Sequence, residues 1–121
     1  FIAFLDKSDT YHDSYKLLFG NPPPLITTTA VIIEGHGWFL RRYDTIKALQ
    51  FLNFIETLHF LDIKEVSKKE IAKARGILEK FSDQNLTLVD ALGLLLMKEY
   101  RIKQCFSADR HLGLMGSPLI F

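Results

Sequence analysis

Apolar side chains recur at helical spacing over several stretches of the chain, and short apolar runs stand between them. Phe1-Ile2-Ala3-Phe4-Leu5 reads as a helix already under way. Asp6 to Asp13 is polar and turn-like, with Ser8 or Asp9 as the expected cap of the next helix. That helix covers Asp13 to Phe19, and Gly20 is its expected C-terminal cap. Asn21-Pro22-Pro23-Pro24 is rigid and extended. Leu25-Ile26-Thr27 is short, β-rich and apolar, which predicts a buried strand. Thr28 or Thr29 can cap the helix that follows, which carries Val31, Ile32, Ile33, Glu34 and Trp38. Gly35 and Gly37 each weaken it by about 1 kcal/mol relative to Ala, a cost that close packing against a neighbour would explain.

Arg41-Arg42 closes that element. Asp44 is placed to cap a helix from Thr45 to Thr57, with Ile46, Leu49, Phe51, Leu52 and Phe54 as its apolar positions. Leu58 to Ile63 is a candidate strand. Ser67 caps Lys68 to Phe81, with Ile71, Ala74, Ile77 and Leu78 inward and the lysines outward. After the turn Asp83-Gln84-Asn85, a helix capped by Thr87 runs to Tyr100. Gln104 to Ser107 reads as a short buried strand, and Pro118 to Phe121 as a last edge strand. Strands separated by helices require crossover connections. The expected fold class is therefore α/β, with a mostly parallel central sheet covered by helices on both faces.

Composition narrows this further. A chain of 121 residues with 48% hydrophobic content can build one domain with its own core. The 15 basic and 14 acidic residues leave a net charge of +1, so nucleic-acid binding would have to come from local patches. The single Cys105 cannot form an internal disulfide, which fits a reducing, cytoplasmic setting. The apolar runs, such as Leu92 to Met97, are too short to span a bilayer, and no signal peptide is seen.

Three carboxylates stand where an α/β protein places chemistry. Asp90 is the third residue of the helix capped by Thr87, and Asp109 lies just past the C-terminal end of the Gln104 strand, the side on which open sheets bind ligands. Glu34 sits amid Val31, Ile32 and Ile33. Each has a purely structural reading as well. An acid in a first helical turn gains roughly 0.3–1 kcal/mol from the dipole, Asp109 could hold a turn, and Glu34 could mark a solvent edge. If the three converge, they repel by about 4 kcal/mol per pair at 4 Å and an effective dielectric near 20. A cation would then be needed, and oxygen ligands favour Mg²⁺ or Mn²⁺.

Leu86-Thr87-Leu88-Val89-Asp90-Ala91-Leu92, followed by Phe106-Ser107-Ala108-Asp109-Arg110-His111-Leu112, resembles the back half of a PIN domain, close to the VapC-type toxins. Phe1 to Asp6 with Asp9 and His12 resembles the helix that opens such proteins. Leu25 to Thr28 and Val31 to Glu34 resemble their second strand and acidic helix. The resemblance implies a three-layer α/β/α fold of strand order 3-2-1-4-5, with a first strand and its Asp upstream of Phe1, so that residues 1–121 would be a single PIN-like domain incomplete at its N-terminus. It implies a Mg²⁺- or Mn²⁺-dependent endoribonuclease with an RNA substrate, an antitoxin partner and a homodimeric state. The acidic site maps onto Glu34, Asp90 and Asp109. Ser107 matches a position that often touches the metal or its water. Arg41, Arg42 and Arg110 are candidate phosphate contacts, each also readable as a solvated helix-end charge.

Other residues are expected to carry less. His12, His36, His59 and His111 show no metal-ligand spacing, so surface or packing roles are expected. Trp38, Phe39 and Tyr43 could stack on bases but read more simply as core. The stretch Phe51 to Phe60 suits a core or a dimer surface. Ser107 has no evident His base, which argues against a serine nucleophile. Two alternatives stand beside the nuclease: a PIN scaffold without catalysis that only binds a partner, and a phosphoacceptor signalling domain. The second wants paired acids after its first strand and a Lys after its last, and no Lys follows Asp109.

Overall fold

The computed structural model describes residues 1–121, in the order α1 (Ile2–Leu5), α2 (His12–Gly20), β1 (Leu25–Thr28), α3 (Thr29–Arg42), α4 (Thr45–Thr57), β2 (Leu61–Lys64), α5 (Lys68–Lys80), α6 (Leu88–Glu99), β3 (Cys105–Phe106), α7, a 3₁₀ turn (Arg110–Gly113), and β4 (Leu119–Ile120). The chain packs as two compact units, Phe1–Ile63 and Lys64–Phe121. β1 pairs with β2. β3 pairs with β4 in parallel, Cys105 opposite Leu119 and Phe106 opposite Ile120. No helix is long and apolar enough to cross a membrane.

In the first unit, α3 packs on α4 and α1 on α2. Thr28 caps α3 through Oγ1, which accepts the Val31 N–H, and Asp44 caps α4 by accepting the Lys47 N–H at 2.8 Å. The core joins Phe39, Ala48, Phe51 and Ile55, with Ile32, Trp38, Leu52 and Phe54 packed around them. Phe54 also stacks on Phe4 at 5.2 Å between ring centroids, and Phe4 meets Phe19 at 4.9 Å. Phe60 joins the same group through Phe19 at 6.3 Å. Phe39 and Phe51 are therefore core, with Trp38 and Phe54 packed against them and Phe60 half-buried.

The two glycines of α3 part company. A Cβ at Gly35 would stand 2.5 Å from Cζ of Phe51, whose side chain is 1% exposed, so the ring needs the bare backbone there. At Gly37 a Cβ would meet only the guanidinium of Arg41, at 3.0 Å, on its own helix. Close helix packing accounts for Gly35 and not for Gly37.

Other departures have local causes. Ser8 and Asp9 do not cap α2, whose N-cap is Tyr11. Asp9 instead accepts the Tyr11 N–H at 2.8 Å, and Ser8 donates its N–H and hydroxyl to Oδ1 of Asp6. Gly20 is the last residue of α2, with Asn21 as C-cap. Ile71, expected inward, is exposed, as are Ile46 and Leu49 among the apolar positions of α4, because α4 buries Ala48, Phe51 and Ile55 and α5 buries Ala74 and Ile77. Thus each helix turns a narrower stripe inward than its apolar content suggests.

Asp6 is the buried acid of this unit, 8% exposed. Its Oδ1 also accepts the Tyr43 hydroxyl at 2.8 Å, which ties the turn after α1 to the end of α3. Burial works to raise its pKa, but the bonds from Ser8 and Tyr43 and the charge of Arg42 outweigh it, and the carboxyl lies below its usual range.

In the second unit, α5 packs on α6, which buries Ala91, Leu92, Leu94, Leu95 and Met97. α6 ends in a Schellman arrangement, with the Ile102 N–H donating to the Met97 carbonyl and the Arg101 N–H to that of Lys98. Arg101 carries the left-handed conformation this needs, at φ 51°.

Gly35→Ala is expected to destabilise the protein by about 1–3 kcal/mol in urea unfolding, since Phe51 must shift. Gly37→Ala should leave stability unchanged or raise it by up to about 1 kcal/mol. Because the folded pKa of Asp6 is depressed, its contribution is fully present above the unfolded value of about 3.9 and is lost as pH falls through the folded value. The stability gap between wild type and Asp6→Asn should therefore be widest at neutral pH and close as the pH drops below about 4.

Candidate metal centre

The helix that carries Asp90 begins with a reciprocal cap. Thr87 is extended at φ −78° and ψ 163°, which aims its hydroxyl back at the first turn. Oγ1 accepts the Asp90 N–H at 3.2 Å, and Oδ2 of Asp90 accepts the Thr87 N–H at 3.0 Å. One carboxylate oxygen is thereby fixed to the backbone, and the other remains for a ligand.

Asp109 repeats the device on a smaller element. It follows β3 and is the N-cap of the 3₁₀ turn α7, with Oδ1 accepting the His111 N–H at 3.0 Å. The His111 ring adds a second contact, Nδ1 to the same Oδ1 at 2.9 Å. Behind it, Oγ of Ser107 accepts the Asp109 N–H at 3.0 Å. This bond orients the turn that carries the acid.

These caps bring Asp90, Asp109 and His111 together. Each offers one ligand atom, and the three atoms lie within 4.8 Å of one another. Two carboxylates at that separation repel by about 3 kcal/mol at an effective dielectric near 20, less where water reaches them. Asp90 and His111 are half-buried and Asp109 is exposed. Two carboxylate oxygens at this separation, with the imidazole engaged on Asp109, fit a small divalent cation that favours oxygen ligands. His111 was expected to have only a surface or packing role. An Asp-x-His sequence in a tight turn was the available signal, because such a turn folds the second side chain back onto the first.

Glu34 is the sixth residue of α3, exposed, and belongs to the first unit. The cluster just described is assembled from the second unit alone. Ser107 meets Asp109 through the backbone rather than through its carboxylate. Arg41 and Arg42 end α3 and are exposed. Arg42 has a local partner, lying 5.5 Å from the Tyr43 ring centroid. Arg110 opens the 3₁₀ turn, exposed, between Asp109 and His111.

Cys105 in β3 does not supply a nucleophile. Burial, and then the charge of Asp109, pushes its thiol up to about 11.

The order and packing of these elements match the PIN fold of VapC-type toxins. The crystal structure of VapC20 from Mycobacterium tuberculosis, a Sarcin-Ricin loop cleaving toxin, is similar to this chain at a TM-score of 0.85. The likeness covers 95% of this chain and 88% of that one at 21% sequence identity. No family model and no curated protein matches the sequence.

Thr87→Ala removes the hydroxyl that accepts the Asp90 N–H and is expected to lower stability by about 1 kcal/mol in thermal or urea unfolding. Cys105 should be alkylated by iodoacetamide at pH 8 much more slowly than a free cysteine, with a rate that climbs toward pH 11.

Proposed function

We propose that this protein is a metal-dependent endoribonuclease, the toxin of a toxin–antitoxin pair, acting on RNA in the cytoplasm. The observation that carries the reading is the meeting of Asp90 and Asp109, each with one oxygen tied to backbone and one left over, in a chain with the fold of a toxin that cleaves RNA. The residues that would hold Mg²⁺ or Mn²⁺ are Asp90 and Asp109, with Glu34 and Ser107 as further direct or water-mediated ligands. A bound divalent cation lowers the pKa of water and neutralises charge that develops at phosphorus.

The chain's own residues do the rest. Asp90 and Asp109 are held before any ligand arrives, so little ordering entropy is lost on binding. The exposed guanidinium groups of Arg41, Arg42 and Arg110 suit forked contacts with phosphate oxygens. An antitoxin protein and a second copy of the chain are the proposed partners. Exposed Ile33, Leu40, Ile46 and Leu49 on α3 and α4 offer apolar surface for such contacts.

The purified protein is expected to cleave RNA with Mg²⁺ or Mn²⁺ and to stop when EDTA is added. Asp90→Asn should reduce cleavage by at least about 100-fold without a large change in melting temperature, because the amide oxygen can still accept the Thr87 N–H. A wild-type protein that cleaves no RNA with either metal would favour the binding scaffold instead.

A further inference from the structure

We propose that His111 is a positioning residue for the metal centre: its imidazole holds Oδ1 of Asp109 so that Oδ2 is presented to the cation. The inference rests on the metal-dependent reading above and adds a residue to it. Oδ1 of Asp109 accepts two bonds, from the His111 N–H at 3.0 Å and from the ring at 2.9 Å. A carboxylate oxygen only accepts, so Nδ1 carries the proton in this contact and the lone pair is on Nε2. The two ring nitrogens point in divergent directions, so Nε2 faces away from the carboxylate that Nδ1 holds. The ring therefore acts through Asp109.

Asp109 needs such a hold more than Asp90 does. Asp90 sits in the first turn of a twelve-residue helix and is half-buried. Asp109 follows a strand of only two residues, caps a four-residue 3₁₀ turn, and its side chain is 46% exposed. One N–H bond leaves a carboxylate free to swing about that bond. A second bond to the same oxygen, from a ring that is only 25% exposed, fixes the plane. The turn itself is seated on α6, where Leu112 Cδ2 would lie 3.2 Å from a Cβ at Gly93. Outer-shell groups that hydrogen-bond a metal ligand typically tune affinity by roughly 10–100-fold.

The test is Mn²⁺ binding to the full-length protein, read by EPR, for wild type, His111→Ala, His111→Asn and Asp90→Asn. An Asn amide can place its Nδ2 near the position of the imidazole Nδ1. His111→Ala is expected to weaken Mn²⁺ binding about 10–100-fold, and His111→Asn to recover most of that loss. Pulsed EPR of the wild-type complex should show no coupled imidazole nitrogen. Equal affinity of wild type and His111→Ala would overturn the proposal. So would His111→Asn binding as weakly as the Ala variant, or a directly coupled nitrogen, which would make His111 a ligand. If wild type binds no Mn²⁺, the metal-dependent reading falls and the proposal with it. If wild type binds and Asp90→Asn does not, while His111→Ala is unaffected, only the role of His111 falls.

Discussion

Asp90 and Asp109 are each held by the backbone of the element at whose start they lie. Asp90 accepts the Thr87 N–H and Asp109 accepts the His111 N–H, so both carboxylates satisfy an otherwise unpaired donor at a helical start. The favourable cap offsets part of the repulsion between two acids brought close together. It also leaves one oxygen of each acid outside the cap. Stability and ligand presentation thus use opposite ends of the same side chain, and neither acid has to move to serve the other role.

The first unit solves a different problem. Its core depends on one aromatic ring meeting bare backbone. Phe51 fills the space that Gly35 leaves, while Phe4, Phe19 and Phe54 pack as a second aromatic group. Asp6, Ser8 and Tyr43 form the polar link between the turn after α1 and the end of α3. A buried carboxylate is tolerated there because three donors reach it.

Much of this was legible in the residues. Thr28, Asp44, Ser67 and Thr87 mark helix starts because a short polar side chain before an apolar period has few other uses. Close packing explains Gly35, where the Phe51 ring occupies the place of a Cβ, but the same expectation fails at Gly37, so a helix glycine signals close approach without proving it. The exposure of Ile46, Leu49 and Ile71 was not legible, since periodicity tells which residues share a face but not how wide the covered stripe is. The 3₁₀ turn after Asp109 was missed too, being too short to show a period. His111 was lost with it: without the turn, nothing relates its ring to the acid two residues earlier.

Gly93 shows how finely this arrangement is balanced. Adding a single methyl group there would press on Leu112, the neighbour of His111 in the turn. A genetic screen for silent alleles would then recover changes on the face of α6 where the turn is seated. Such alleles would leave every acid intact while altering the angle at which one of them is offered.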